Sequence, residues 1–216
     1  MKTVCGLIYK YGIPRNYVPN NLNLSPFLII TGEKSVPKKS FTDEEVELIK
    51  KACGKIDYAD YIYCMIYMGF RINEFLALDI KDYNKEKKYI IGGSKTEAGI
   101  ERYVTISPKI QPIIDELIKD KITGPLFYNK NTNTAFTVNH FRRKYYYTIL
   151  ENAGIEKPQE KNLTPHTCRR TFATLMKNIN ASGKDKLELM GHTTEEMLRY
   201  YQDVNIEDLR KITDQI

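Results

Sequence analysis

The sequence predicts a mostly α-helical domain with one small antiparallel β-sheet, an α+β fold. Two observations carry that expectation. From Phe41 onward most segments place apolar residues at helical spacing and are punctuated by helix caps. Only the middle of the chain, at Lys88 to Ile91 and Arg102 to Ile106, reads as short β-type runs, and these flank a glycine-rich turn from Gly92 to Gly99. The length of 216 residues suits one sizeable domain together with a fragment of another.

The elements follow in order. Residues 1–12 read as the end of a helix. Residues 13–39 carry Pro14, Pro19, Pro26 and Pro37 among Asn, Ser and Lys, the composition of a linker or extended arm. The chain is therefore expected to begin in the last piece of something larger, with residues 1–39 ahead of a compact domain at 40–216. That domain opens on a complete helix start: Thr42 as N-cap, Glu45 at the capping-box position, Phe41 placed to staple to Val46, and Gly54 as the stop. A second helix is predicted from about Tyr58 to Met68, ended by Gly69, and a third from Arg71 to Leu76. Leu78-Asp79-Ile80 is a candidate third strand. Beyond the β region, Ile113, Ile114, Leu117 and Ile118 share one helical face, with Pro112 in the first turn. Thr137 caps a helix from Val138 to Asn152. Thr164 and Pro165 open another, running to Ile179, with Phe172, Met176 and Ile179 facing inward. Lys184 to Met190 stops at Gly191. Thr194 caps a helix that reaches Tyr201, and a final helix at about 206–215 presents Ile206, Leu209 and Ile212.

Composition excludes several classes. No apolar run approaches the length of a membrane span, and the N-terminus lacks a signal peptide's apolar stretch, so no membrane association and a cytoplasmic location are expected. Cys5, Cys53, Cys64 and Cys168 form no CxxC pair and no Cys/His pattern at metal spacing, so free thiols and no bound metal are expected. The net charge of +6 suits an anionic partner without identifying one.

Four places carry residues suited to chemistry, and each has an ordinary structural reading. Arg71 follows Gly69-Phe70 at a break between helices, amid apolar neighbours; alone it reads as an ion-pair partner of Glu74. His166 and Arg169 lie three apart on a helix, so they project from one side near a helix N-terminus, which suits a phosphate but also an ordinary basic face. His192 follows Gly191, as a helix-capping histidine would. Tyr201 stands nine residues after His192, yet it is one tyrosine among 16.

Their order changes the reading. Gly69-Phe70-Arg71-Ile72-Asn73-Glu74, then Thr164-Pro165-His166-Thr167-Cys168-Arg169-Arg170-Thr171-Phe172, then Met190-Gly191-His192 followed by Tyr201, resembles the tyrosine recombinase family, also called phage integrases. The likeness covers about residues 41–216, and residues 1–39 resemble the end of a preceding core-binding domain with its linker. The resemblance implies the recombinase catalytic-domain fold and a catalytic set of Arg71, Lys95, His166, Arg169, His192 and Tyr201, with Lys95 matching the family's hairpin lysine. Tyr200 competes with Tyr201, but it lies about 100° round the helix and has the poorer spacing from His192. Glu74 matches a structural position, as a buried partner that orients Arg71 or caps its helix. The chain departs from the family pattern at Cys168, where Leu is usual, and at Arg170, where a second His is frequent; neither is a catalytic position.

The resemblance implies strand breakage and rejoining on double-stranded DNA through a 3′-phosphotyrosyl link, without metal or cofactor, by a homotetramer in the full-length protein. The mobile-element chemistry of integration and excision is the expected setting. Rival readings are type IB topoisomerase-like strand relaxation, a non-catalytic DNA-binding module, and a basic helical interaction domain with no nucleic-acid role.

Overall fold

The structure is a computed structural model that describes residues 2–29, 39–93, 101–119, 121–176, 179–191 and 206–216. The chain divides into two compact units, Met1–Pro37 and Lys38–Ile216.

The first unit begins with helix α1 (Lys2–Gly12), whose Val4, Leu7, Ile8 and Tyr11 side chains are exposed. The described part of the segment read as a linker or extended arm winds through three short 3-10 turns, at Ile13–Arg15, Asn20–Leu22 and Ser25–Phe27. Pro14 and Pro26 preset the backbone φ inside two of these turns, and Asn16 closes the first in the left-handed conformation. Asn23 Oδ1 accepts from both the backbone and the hydroxyl of Ser25, at 3.1 and 2.6 Å, a side-chain-built turn.

The second unit starts as its cap chemistry predicts. Helix α2 (Asp43–Ala52) has a full capping box, with Glu45 N–H donating to Thr42 Oγ1 and Thr42 N–H donating to the Glu45 carboxylate. Phe41 is buried before the cap and Val46 packs beside the core after it, as a hydrophobic staple requires. Helix α3 (Ala59–Met68) is apolar beyond Asp60 in its first turn, and Tyr61, Ile62, Cys64, Met65, Ile66 and Met68 are fully buried. A helix with no polar face belongs at the centre. It packs against α2 and against helix α8 (Pro165–Leu175).

Helix α4 (Ile72–Phe75) leads into a three-stranded antiparallel sheet of β1 (Tyr83–Asn84), β2 (Tyr89–Gly92) and β3 (Arg102–Thr105), in that order. Ile90 pairs with Val104 and both are fully buried, so this face of the sheet closes the core. The third strand was expected at 78–80. Residues 80–82 form a 3-10 turn instead, held by Asp79 Oδ1 accepting from Lys81 N–H at 3.0 Å, and the strand forms directly after it. The expected segment does make a short pairing: Asp79 forms an isolated antiparallel bridge with Pro125, with Ile80 N–H donating to the Gly124 carbonyl at 2.9 Å and Leu126 N–H to the Leu78 carbonyl at 2.8 Å.

Helix α5 (Gln111–Ile118) carries Pro112 in its first turn and buries Ile114, Leu117 and Ile118. A hairpin of β4 (Tyr128–Asn129) and β5 (Thr134–Ala135) follows. The helix expected over 138–152 is interrupted: α6 (Val138–His140), a π-helical stretch at Phe141–Tyr146, then α7 (Tyr147–Asn152). Phe141 and Tyr146 are both fully buried. In an α-helix residues five apart diverge by about 140°, and the wider π-turn brings both rings to the core side. Helix α9 (Gly183–Met190) ends on Gly191 in the left-handed conformation. The C-terminal helix α10 (Ile206–Thr213) lies on β3. The helix predicted between Thr194 and Tyr201 lies outside the described residues. Among those described, no helix is long and apolar enough to cross a membrane.

Candidate active site

The site is organised by the stop of one helix and the start of the next. Gly69 ends α3 with φ +63°, and a Cβ there would run into the Phe172 ring, 2.6 Å from its Cε1. The chain turns so that Phe70 enters the core and Arg71 caps α4. Arg71 is held by Glu74 one turn on: its backbone N–H donates to Oε2 at 3.0 Å and its Nη1 donates to Oε1 at 2.8 Å. Glu74 therefore both orients Arg71 and caps the helix. Its side chain is fully buried, while the Arg71 side chain keeps 23% of its surface.

Arg169 comes from α8 and is buried to 1%. Its Nη1 donates to the Gly69 carbonyl at 2.6 Å, and its Nη2 donates to the Met190 carbonyl. Both acceptors lie at helix C-termini, where carbonyls lack intrahelical partners and the helix dipole favours a cation. A guanidinium presents its N–H donors as a rigid fork, so these two bonds fix its orientation. The residue before it, Cys168, is fully buried near the Tyr146 hydroxyl, and burial pushes its thiol up to about 12. It packs as a neutral group, as an apolar residue would.

A third arginine completes the cluster, and sequence reasoning passed over it as a strand residue. Arg102 of β3 is 2% exposed; its Nη1 donates to Glu74 Oε2 at 3.2 Å and its guanidinium stacks on Phe70 at 4.2 Å. A lone Arg in a run of β-type residues, placed to be buried by the Tyr103/Val104 alternation, was the available signal.

The three guanidiniums act on one another. Burial, then the charges of Arg102 and Arg71, push Arg169 down to about 9, with Glu74 opposing. Burial pushes Arg102 down to about 10, against the pull of Glu74 and with the push of Arg71. Both stay protonated at neutral pH, and the depressed values reflect burial first and the neighbouring like charges second. Burial alone raises the Glu74 carboxyl; the Arg71 N–H bond and the charges of Arg102 and Arg71 outweigh it and hold the group below its ordinary value.

Arg71 and Arg169 are thus brought together. His166 stands exposed in the first turn of α8, one turn before Arg169. Thr164 occupies the N-cap of that helix by backbone geometry, but its side chain accepts no capping bond. Lys95, His192, Tyr200 and Tyr201 lie outside the described residues, although β2 and β3 run to either side of Lys95 and Gly191 immediately precedes His192.

The fold is that of the tyrosine recombinase catalytic domain. It is similar to the Tn1549 transposon integrase solved with circular intermediate DNA, at a TM-score of 0.69 and 23% identity over 97% of this chain and 75% of that one. It is also similar to a λ integrase tetramer bound to a Holliday junction, at a TM-score of 0.63 and 13% identity over 95% of this chain and 60% of that one. The profile of the phage integrase family matches residues 39–208, and the chain belongs to that family. Among curated relatives, tyrosine recombinase XerA of Pyrococcus horikoshii is 29% identical over 182 residues, which is 82% of this chain. The chain spans 61% of the length of that relative.

Proposed function

We propose that this chain is the catalytic part of a site-specific DNA recombinase that cleaves and rejoins double-stranded DNA through a 3′-phosphotyrosyl intermediate, in the integration or excision of a mobile element. The observation that carries the reading is that Arg71, held by the Glu74 carboxylate, and Arg169, held by the Gly69 carbonyl two residues before Arg71, form one cationic site in a chain of the phage integrase family.

Each residue has a separate task. Tyr201 Oη attacks the scissile phosphorus. Its ordinary pKa of about 10 makes ionisation at neutral pH cost about 4 kcal/mol, so His166 takes the proton as base. Arg71 and Arg169 donate to the two non-bridging oxygens, on which charge grows in the pentavalent transition state, and His192 adds a further donor. Fixed donors of this kind are worth ~3 kcal/mol each. Lys95 protonates the departing 5′ oxygen. The tyrosyl oxygen–phosphorus bond forms as the phosphorus–5′ oxygen bond breaks, and the covalent link conserves the energy of the phosphodiester for rejoining. Reversal with a different strand gives exchange, for which four copies assemble on two duplexes in the cytoplasm.

A nicked suicide duplex incubated in EDTA tests the reading. An SDS-stable protein–DNA adduct is expected; Tyr201→Phe abolishes it and Tyr200→Phe does not. The reverse pattern would move the nucleophile to Tyr200, and loss of the adduct in EDTA would sink the mechanism. Relaxation of supercoiled plasmid without exchange between two sites would favour a type IB topoisomerase-like enzyme. Duplex binding with no adduct would leave a non-catalytic module.

A further inference from the structure

We propose that Arg102 is a positioning residue of the phosphate site, whose buried charge neutralises Glu74 so that Arg71 keeps its full positive charge for the scissile phosphate. The inference rests on the function proposed above and concerns a residue that the motif blocks do not contain.

Arg71 and Arg102 bind the same carboxylate through different oxygens: Nη1 of Arg71 on Oε1 at 2.8 Å, and Nη1 of Arg102 on Oε2 at 3.2 Å. If Arg71 and Glu74 were alone, each would cancel the other, and the arginine would meet the phosphate as half of a neutral pair. The second guanidinium removes that cancellation. Three guanidinium charges face the Glu74 carboxylate, with Glu188 a weaker anion acting on Arg102, and leave a surplus of between about one and two positive charges. A phosphodiester carries about one negative charge, and its pentavalent transition state about two, so the surplus covers the ground state and extends toward the transition state.

Arg102 does this without touching DNA. Its side chain has no exposed surface, and it is clamped by stacking on Phe70 at 4.2 Å. Its Nε and Nη2 atoms are buried and bond to nothing among the described residues. A buried cation with unmet donors is costly to keep, and a position so costly is unexplained by packing alone, because a Leu or Met would fill the same space against Phe70. Arg102 is also a mechanical tie. It pairs with Gly92 across the β2–β3 ladder, at the base of the segment that carries Lys95. A Cβ on Gly92 would lie 2.5 Å from Leu78 Cδ2 and 3.2 Å from the Phe70 ring, so the ladder sits hard against the residue preceding Arg71. One side chain therefore joins the strand leading from the hairpin to the cap that aims Arg71.

The test uses the adduct assay with purified full chain, measuring cleavage rate at saturating DNA and duplex affinity separately. Arg102→Met is expected to slow cleavage by about 10- to 100-fold while the duplex Kd changes by less than about 3-fold. Arg102→Lys, which keeps the charge, recovers most of the rate. The decisive arm is the double variant E74Q/R102M. It restores the charge surplus by removing the carboxylate instead, and it is expected to cleave faster than R102M alone. A structural role would make the second substitution neutral or harmful, so a double variant no faster than R102M overturns the proposal, as does an R102M that cleaves like the parent. Should R102M fail to fold by thermal melting, Arg102→Gln takes its place against Arg102→Lys with the same criteria. A parent chain that forms no adduct would instead refute the proposed function.

Discussion

Glu74 is the residue on which most of the site depends, because three donors from two arginines converge on its carboxylate within 3.2 Å. Removing it leaves the Arg102 guanidinium in the core without its bonded counter-charge, with only the weaker field of Glu188 remaining. Glu74→Ala is therefore expected to lose about 3 kcal/mol or more of unfolding free energy, read from the urea midpoint. Its protonation has a signed consequence. The folded-state pKa lies below the ordinary value of 4.5, so its stabilising contribution is complete above that value and disappears as pH falls through the lower folded one. The stability difference between the parent and Glu74→Gln should shrink as the solution is acidified below pH 4.5. A difference that stayed constant through that range would mean that the fold does not lower the pKa of this carboxyl group. That Glu74 would be a buried partner of Arg71 was legible in the motif. That Arg102 shares it was not, because β3 and α4 are separated by the whole β1–β2 segment and nothing local announces their contact.

At the scale of elements, the junction between α3 and α4 does two jobs through Gly69. Its left-handed backbone ends a helix with no polar face, and its carbonyl receives Arg169. Gly69→Ala adds a left-handed penalty of about 1–2 kcal/mol and forces the Phe172 ring to move. We expect a loss of about 3 kcal/mol in stability together with slower cleavage, since the acceptor that fixes Arg169 shifts with the ring. Cleavage at the parental rate in a destabilised Gly69→Ala would separate the turn from the site. Punctuation by glycine and by the Thr42–Glu45 capping box was readable because these are local backbone rules. The π-helical stretch at Phe141–Tyr146 was not, because it answers to the demand that two rings five residues apart reach the same core.

Across the whole molecule, α10 docks on its own domain. The buried Thr105 hydroxyl bonds Thr213 Oγ1 at 2.5 Å and the Leu209 carbonyl at 3.2 Å, while Leu209, Ile212 and Ile216 are buried and Arg210 reaches the Lys88 carbonyl. The molecular charge of +6 belongs to this scale too. If DNA phosphates are the partner, duplex affinity should fall steeply and log-linearly between about 50 and 200 mM salt as counterion release weakens. An affinity indifferent to salt, or no duplex binding at low salt, would return the chain to a basic helical domain with another role.

The fold class, most helix limits and the family are legible in chain order, because caps, glycine stops, apolar periodicity and motif order are written in neighbouring residues. The sequence also named Arg71, His166 and Arg169 as candidates. Only the tertiary structure decided that Arg71 and Arg169 share one charge cluster, that Glu74 serves two arginines, and that Arg102 belongs among them. Those facts concern groups far apart in the chain, whose energies depend on burial and on one another's fields, and a linear pattern carries neither.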